Sequence, residues 1–518
     1  MTEKHYDVVV LGRSLGALVA AALLARRDFR VLVIGQGARP PTYRFERHVL
    51  RRHAFRLRAA SSPVFRRVLS ELAQTQAFRR RAQALDPMLS LLLPSQRMEL
   101  PPDPELFARE LEREMKDAQR PIEDFHAMLA KLHEAADAAF DRDATWPPGG
   151  FWERRETNRL AASLPYLRGE GVTDLPLDLP ASHPFRMVVR TLTRFASDLA
   201  SELPAFARGR LYGSYLRGSL AFGRGQDELE ELLLERIVGH GGVLRLDDRV
   251  SRIGLRGGAV ANVAVEGDMA PTSATFVVTD QTGAELAELS GGEGISPRTH
   301  REWPRMERAA GRFVMSIVVR SAGLPQPLGR EALILPSLDE RWPPLYLVRL
   351  DPARMPEAPP ETALESLLVV EMLLPLTKPG PVALGEAREY VLRTLSRVFP
   401  FVERHLVAAD SPHDGRPAWK WEDGRCVEVD RFLLQGASTR AEPMQPQFAM
   451  ASPGWMGLGG EPVRGPIPRT FLVGGSVLPA LGQEGQILAA CSAARIITRS
   501  DRHKERIRKA MWSRVEIG

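Results

Sequence analysis

One pattern near the start of the chain restricts its fold more than any other: a strand, a glycine turn, a small-residue helix and a second strand within residues 6–36. Tyr6–Leu11 is a β-branched run typical of a buried parallel strand, and Gly12 can supply the turn that follows. Ser14–Ala25 is rich in alanine and leucine, which suits a helix packed closely on a sheet. Residues 30–34 form a second apolar run, so this stretch predicts a β-α-β unit of the dinucleotide-binding type.

The turn of this unit departs from the usual Gly-x-Gly-x-x-Gly pattern. It reads Gly12-Arg13-Ser14-Leu15-Gly16-Ala17, with serine at the second glycine position and alanine at the third. The helix N-terminus can still offer N–H groups to an anion. About twenty residues on, where an acidic residue would bind ribose hydroxyls, stands Gly35, followed by Gln36. The motif alone leaves two alternatives open: a nucleotide site, or a Rossmann-like unit without a ligand.

Length and composition indicate a globular protein of several domains. The 518 residues exceed a single compact core, and 44% hydrophobic and 26% charged residues are ordinary proportions. No run approaches the roughly 20 apolar residues that span a bilayer, and the first residues carry no secretory signal. Two cysteines, Cys426 and Cys491, give neither a disulfide framework nor a cysteine metal site. We expect a cytoplasmic protein without a bound metal.

The formal net charge of +6 comes almost entirely from arginine. A GC-rich genome would explain that bias by itself. Two stretches, Arg44–Arg81 and Arg499–Arg514, interleave arginine with apolar residues, as amphipathic helices at surfaces do. We therefore expect peripheral membrane contact through Arg44–Arg81. No recognition motif accompanies either stretch, so nucleic acid is not expected as a partner.

Later glycine turns repeat the arrangement of the opening unit. Arg217–Gly225 precedes a helix that runs to Val238, and the stretch from 243 to 280 reads as successive strands with a Gly257–Gly258 hairpin. Residues 468–476 form another apolar strand that runs into a glycine turn. The small-residue helix 486–497 follows, so this junction offers a second set of backbone donors to the same crevice.

In this order, the blocks resemble the phytoene desaturase family of FAD-dependent oxidoreductases, within the amine-oxidase-like superfamily. The family includes carotenoid desaturases and isomerases and retinol saturases, and the resemblance covers nearly the whole chain. The stretches that carry it are 97–105, 217–225, 274–280, 395–409 and 474–485. It implies bound FAD, hydride transfer between flavin and substrate, and a hydrophobic, isoprenoid-like or lipid substrate taken from a membrane surface. The family shares no defined acid–base pair, so the resemblance assigns no catalytic residues.

The resemblance also implies an α/β fold with two domains. A discontinuous Rossmann-type FAD/NAD(P)-binding domain would comprise 1–60, 213–285 and 440–500. A mixed-sheet and helical substrate domain would comprise 61–212 and 286–439, followed by a basic tail at 501–518. Carried over by position, the cofactor contacts are Gly12, Ser14, Leu15 and Gly16 at the pyrophosphate, Gly35 or Gln36 at the ribose, the Val250 backbone at the adenine, and Gly475, Ser476, Gly485, Gln486 and Ile487 at the ribityl chain and isoalloxazine.

Three departures from the family pattern fall on flavin-facing positions. The acidic ribose residue is replaced by Gly35, the loop Gly37–Tyr43 lacks the usual glycine-glycine-arginine, and Leu478–Ala480 replaces a His-Pro-Gly-like motif. The favoured hypothesis is an FAD-dependent oxidoreductase acting at a membrane surface. The alternative is a non-catalytic, flavin-free member of the fold that binds a prenyl group, a lipid or a partner protein, as guanine-nucleotide dissociation inhibitors do.

Overall fold

The computed structural model describes residues 5–167, 175–339, 342–350, 364–450 and 454–501. The helices are α1 Leu15–Arg26, α2 Pro63–Glu71, α3 Thr75–Arg81, α4 Pro104–Glu114, α5 Gln119–Phe140, α6 Phe151–Ala161, α7 Pro184–Ala196, α8 Ala205–Leu216, α9 Gln226–Gly239, α10 Gly283–Leu289, α11 Pro297–Glu302, α12 Ala387–Val398 and α13 Gly482–Arg499. The strands are β1 His5–Leu11, β2 Val31–Ile34, β3 Thr42–Phe45, β4 His48–Arg51, β5 Ala82–Ala84, β6 Leu89–Leu92, β7 Arg97–Leu100, β8 Leu220–Phe222, β9 Val243–Arg245, β10 Val250–Arg256, β11 Ala259–Val265, β12 Thr272–Thr279, β13 Met306–Arg320, β14 Glu331–Ile334, β15 Leu345–Leu350, β16 Glu365–Pro375, β17 Leu406–Asp410, β18 Ala418–Glu422, β19 Arg425–Val429, β20 Gln445–Met450 and β21 Thr470–Leu472.

The first sheet is a Rossmann-type sheet of seven strands. Its central strands β21, β12, β1, β2 and β9 are parallel neighbours in that order. The hairpin β10–β11 joins antiparallel to the start of β12, and Gly257 and Gly258 turn it with φ values of 60° and 75°. Because the central strands are parallel, their carboxyl ends open at one edge of the sheet, where ligands bind in folds of this kind.

Helix α1 fixes this edge because it is buried along nearly its whole length against α9 and α13. Its alanine-rich sequence lets the helix approach the sheet closely. A Cβ atom on Gly16 would lie 2.0 Å from the carbonyl oxygen of Val473, just after β21. Gly16 therefore supplies the close helix–sheet contact that the fingerprint assigns to its third glycine, the position that Ala17 holds here.

The second sheet is mixed and has ten strands. Its path runs β19-β18-β17-β13-β16-β15-β14-β6-β7, and β20 pairs with β13. One face packs on α5, α7 and α8 through aromatic and aliphatic side chains, and the other packs on α12. The α/β fold with a Rossmann-like domain, mixed sheets and helices is confirmed. The domain boundaries stay a prediction; β20, placed by sequence in the nucleotide-binding domain, is a strand of this second sheet.

The basic stretch Arg44–Arg81 is only partly at the surface. Arg51, Arg52, Arg56 and Arg58 are buried, with exposed fractions of 3–8%. Each is paired inside the protein, to Asp227, Glu442, Glu371 and Glu331 respectively. These four guanidinium groups are needed to neutralise internal carboxylates, so they cannot contact a membrane. Contact through the remaining arginines stays a prediction.

Within the described residues, no helix is both long enough and apolar enough to cross a membrane. The second basic stretch, Arg499–Arg514, falls outside the described residues from 502 onward.

Candidate functional site

A crevice of about 340 Å³ lies between the carboxyl edge of the first sheet and the second sheet. The first sheet and its helices contribute Arg13, Ser14, Leu15, Asp280, Gly474, Gly475 and Gln486. The opposite wall comes from β13, β16 and β20, with the segment 53–58 and the end of α7 closing the sides. Of the predicted cofactor contacts, Ser14, Leu15, Gly475 and Gln486 line this crevice. Those outside its lining are Gly12, Gly16, Gly35, Gln36, Val250, Ser476, Gly485 and Ile487.

The N-terminus of α1 opens toward the crevice and keeps two N–H donors for an acceptor. Ser14 caps the helix, and its hydroxyl accepts a hydrogen bond from the N–H of Ala17 at 3.3 Å. The N–H groups of Leu15 and Gly16 have no acceptor among the described residues, as expected for the first residues of a helix. This end of the crevice can therefore bind an anionic group.

Two further N–H groups of the same turn are occupied by a side chain. The Asp280 carboxylate, just after β12, accepts hydrogen bonds from the N–H of Arg13 at 3.0 Å and of Ser14 at 2.8 Å. The other carboxylate oxygen, Oδ1, would lie 1.9 Å from a Cβ atom on Gly12, which explains the glycine at this position. Burial raises the pKa of Asp280, although the N–H groups of Ser14 and Arg13 act in the opposite direction.

The predicted ribose position is filled by the main chain. A Cβ atom on Gly35 would lie 1.8 Å from the carbonyl oxygen of Leu246, in the turn between β9 and β10. No side chain, acidic or otherwise, fits there without moving that turn. Packing against the Leu246 carbonyl therefore excludes an acidic side chain at the ribose position.

The predicted adenine position is also occupied. The side-chain amide of Gln36 donates to the carbonyl of Val250 at 3.0 Å and accepts from the N–H of Val250 at 2.8 Å. Both main-chain groups that would pair with adenine are thus already paired. Gln36 lies outside the crevice lining, and its amide ties residue 36 to residue 250.

The closing glycine turn packs against a carboxylate as well. A Cβ on Gly475 would lie 2.7 Å from an oxygen of Asp198, and the same oxygen accepts from the Gln486 amide at 2.9 Å. Burial raises the pKa of Asp198, opposed by Arg312 and Gln486. Ser476 and Ile487 are buried in the surrounding core rather than exposed to the crevice.

The far wall carries a buried ion-pair network. Glu371 on β16 accepts from Arg312 at 2.6 Å and from Arg56 at 3.1 Å, and Arg312 also lies 3.7 Å from Asp198. Burial opposes the charge on Glu371, but the two arginines outweigh burial and lower its pKa. His53 lies in the same lining, and burial lowers its pKa to about 4, so it is neutral at pH 7.

Sequence reasoning missed the charged residues that dominate this site: Arg56, Asp198, Asp280, Arg312 and Glu371. Two of them left a signal, because Arg312 and Glu371 stand inside apolar strands, where a charge requires a partner. Asp280 ends a predicted strand at the edge where ligands bind. Nothing near Asp198 in the sequence sets it apart.

FAD fits one part of this crevice and not the other. The N–H groups of Leu15 and Gly16 suit a pyrophosphate. The positions that would hold the adenosine half are filled by the Leu246 carbonyl and the Gln36 amide. The residues present therefore do not fit the whole dinucleotide.

Comparison with known proteins supports the fold. Residues 10–72 match the model of the NAD(P)-binding Rossmann-like domain. An oxidoreductase from Methanosarcina mazei superposes with a TM-score of 0.50 at 15% identity, covering 92% of this chain and 98% of that one. A Pyrococcus furiosus protein gives 0.47 at 15% identity, covering 78% and 87%. A geranylgeranyl bacteriochlorophyll reductase-like protein from Thermoplasma acidophilum gives 0.43 at 11%, covering 98% and 80%.

No curated protein matches the sequence. The family model covers only residues 10–72, and the likeness to the Methanosarcina mazei oxidoreductase concerns the fold alone. The resemblance to phytoene desaturases stays a prediction. The chain has an α/β fold with a Rossmann-like NAD(P)-binding domain, and it shares that fold with the Methanosarcina mazei protein.

Proposed function

We propose that this protein is a flavin-free member of its fold that binds an organic anion, through a carboxylate or phosphate group, in the crevice. One observation carries the proposal: two residues of the crevice lining, Leu15 and Arg56, carry hydrogen-bond donors without an acceptor among the described residues. These donors are the N–H groups at the start of α1 and the guanidinium of Arg56.

The start of α1 favours an anion for two reasons. The N–H groups of Leu15 and Gly16 point out of the helix end without a protein acceptor among the described residues, and the helix dipole adds partial positive charge there. Leu15 itself lines the crevice. A carboxylate or phosphate oxygen would satisfy these donors.

Arg56 supplies the second donor group. Its side chain is only 8% exposed, and Nη2 donates to Glu371 and to the carbonyl of Phe195. Nη1 has no hydrogen-bond partner among the described residues, although a buried donor normally has one. The guanidinium lies 4.3 Å from the ring centre of Tyr346, which fixes its position. An anionic oxygen is the acceptor that a guanidinium pairs with best.

The same wall disfavours an isoprenoid chain. Arg56, Arg312, Glu371 and Asp198 all line the crevice, and covering them with hydrocarbon would remove remaining water without replacing its hydrogen bonds. A prenyl or lipid ligand, expected from the family resemblance, therefore suits this crevice less well than a polar molecule.

Leu15→Pro tests the helix end with little disturbance. Proline is well tolerated at the first position of a helix, and Ser14 already has the extended backbone, φ −65° and ψ 164°, that precedes a proline. The change removes one N–H donor. We expect affinity for inorganic phosphate or for succinate, measured by titration calorimetry, to fall about tenfold, as for losing one hydrogen bond to a charged group.

Leu15→Ala is the matched control, because it removes the same side chain and keeps the N–H. It should bind either probe within about twofold of the unmodified protein. Preference for phosphate or succinate separates the two ligand chemistries. Equal affinity of the proline and alanine variants, or no binding of either probe, would contradict the proposal.

The second candidate is an FAD-dependent oxidoreductase, as the family resemblance implies. Its support is the oxidoreductase fold and the same pair of N–H donors, which a pyrophosphate would also use. Gly475 and Gln486 would then lie beside the flavin. FAD supplies hydride transfer when it is bound. Protein purified without added cofactor that shows stoichiometric flavin absorbance would establish this candidate over the first.

A further inference from the structure

We infer that the chain closes the adenosine half of its own dinucleotide crevice, with the Gln36 amide standing in for adenine, so that AMP and FAD are excluded. It rests on the proposed function, in which the protein binds an anion and no flavin. It depends on Gly35, Gln36 and the segment 245–250, which are not the residues proposed to hold the anion.

The Gln36 amide reproduces the hydrogen-bonding edge of adenine. Adenine presents a ring-nitrogen acceptor next to an amino donor. Gln36 presents a carbonyl oxygen, which accepts from the N–H of Val250 at 2.8 Å, and an amide NH₂, which donates to the carbonyl of Val250 at 3.0 Å. A nucleotide base would have to displace both bonds before it could bind this strand.

The backbone at Gln36 supports the same interpretation. Its φ is +54°, a left-handed conformation that is costly for a residue with a side chain. A conformation of this kind persists only when the surrounding structure holds the residue in it. One such contact is the hydrogen bond from the N–H of Gln36 to the carbonyl of Asp248, at 3.0 Å. The strained conformation is what directs the amide at Val250.

Gly35 completes the closure one residue earlier. Its N–H donates to the carbonyl of Arg245 at 3.1 Å, and its missing side chain allows the carbonyl of Leu246 to approach. Residues 35–36 therefore make four hydrogen bonds to the segment 245–250. Where a ribose and a base would enter, the two segments lie against each other.

Gln36→Gly tests the closure without threatening the fold. Glycine adopts positive φ readily, so the variant removes the amide and relieves the strain together. We expect the unmodified protein to bind AMP no more tightly than ribose 5-phosphate. The glycine variant should bind AMP at least about tenfold more tightly than the unmodified protein does, because the two main-chain groups of Val250 become available. Two of the four hydrogen bonds that hold the segment 245–250 against residues 35–36 are lost as well, so the Leu246 carbonyl can move away from the ribose position.

Two controls make the result specific. Ribose 5-phosphate shares the sugar and phosphate of AMP, so its affinity should not change in Gln36→Gly. Gln83→Ala removes an exposed glutamine of β5 that lies outside the crevice lining, and should not change AMP affinity. Gln36→Asn also tolerates positive φ, but its side chain is one methylene shorter, so a smaller gain for AMP is expected.

FAD retained by the unmodified protein, or AMP affinity equal in the unmodified protein and Gln36→Gly, would overturn the inference. The outcome is separable from the test of anion binding. Failure of the Leu15→Pro comparison leaves the AMP measurements standing, and unchanged AMP affinity in Gln36→Gly leaves the phosphate and succinate measurements standing. Bound FAD would contradict both the inference and the flavin-free proposal.

Discussion

Replacing Gly35 by glutamate is expected to lower the free energy of unfolding by about 3 kcal/mol or more, and not to create nucleotide binding. Sequence comparison alone would suggest the opposite, since an acidic residue at this point is what the ribose contact requires. The Cβ would lie 1.8 Å from the Leu246 carbonyl oxygen, however, and a backbone atom has no rotamer with which to move away. Urea denaturation followed by circular dichroism measures the change.

Gly385→Glu is the control for this substitution. A Cβ at Gly385 meets nothing within 4 Å, and this exposed residue has no left-handed backbone to strain. Its effect should stay within about 0.5 kcal/mol. A Gly35→Glu protein as stable as the control, or one that gains FAD, would mean that the turn between β9 and β10 opens easily, and the closure described above would be lost with it.

Asp410→Asn is expected to destabilise the protein by about 3–5 kcal/mol. Asp410, at the end of β17, is fully buried and holds three groups together: Arg388 of α12 at 3.1 Å, Arg431 at 2.7 Å and the Tyr43 hydroxyl at 2.8 Å. The amide keeps the shape of the carboxylate but removes its charge. Two buried guanidinium groups then lose a partner, and Arg431 has no other carboxylate among its described ion pairs.

An exposed ion pair provides the comparison. Glu302→Gln breaks a bond of 3.0 Å to Arg298, one turn earlier on α11, where both side chains are largely in water. It should cost no more than about 0.5 kcal/mol. Denaturant midpoints for the two variants, measured side by side, should differ clearly. Similar midpoints would mean that the Asp410 network contributes little to folding.

The opening unit could be predicted because its determinants are local. The β-branched run before Gly12, the small residues of α1 and the second apolar strand all follow from periodicity over short windows. For the same reason, the alternating or apolar runs at 312–319, 332–335, 345–350 and 367–374 predict strands of the substrate domain, and the structure has β13, β14, β15 and β16 there.

The chemistry of the crevice could not be predicted in this way, because it depends on contacts between distant segments. The Leu246 carbonyl leaves no room for a side chain at Gly35, and Asp198 leaves none at Gly475. Arg56 is held by an ion pair with Glu371. On its own, each of these glycines fits a predicted cofactor contact, Gly35 at the ribose and Gly475 at the ribityl chain and isoalloxazine. A single charged residue in an apolar strand, such as Glu371, indicates that an oppositely charged partner exists. The sequence does not show which of the many arginines is that partner.

The same limit applies to the stretch Arg44–Arg81. Charge interleaved with apolar residues is typical of a helix lying on a membrane, and also of a segment threaded through the interior with each arginine neutralised. The positions of Asp227, Glu331, Glu371 and Glu442 decide between these alternatives, and they lie 176 to 390 residues beyond the arginines that they pair with.

Strand β20 forms part of one wall of the crevice. Gln445, Pro446 and Phe448 of this strand form part of the lining, while the strand itself is hydrogen-bonded to β13. Phe448 also bonds through its backbone to Asp198 and Ala200, after α7. Main-chain hydrogen bonds on both sides therefore hold β20 in place and set the width of the crevice at this wall. For the anion proposed above, a fixed wall predicts selection by size and by matching of polar groups.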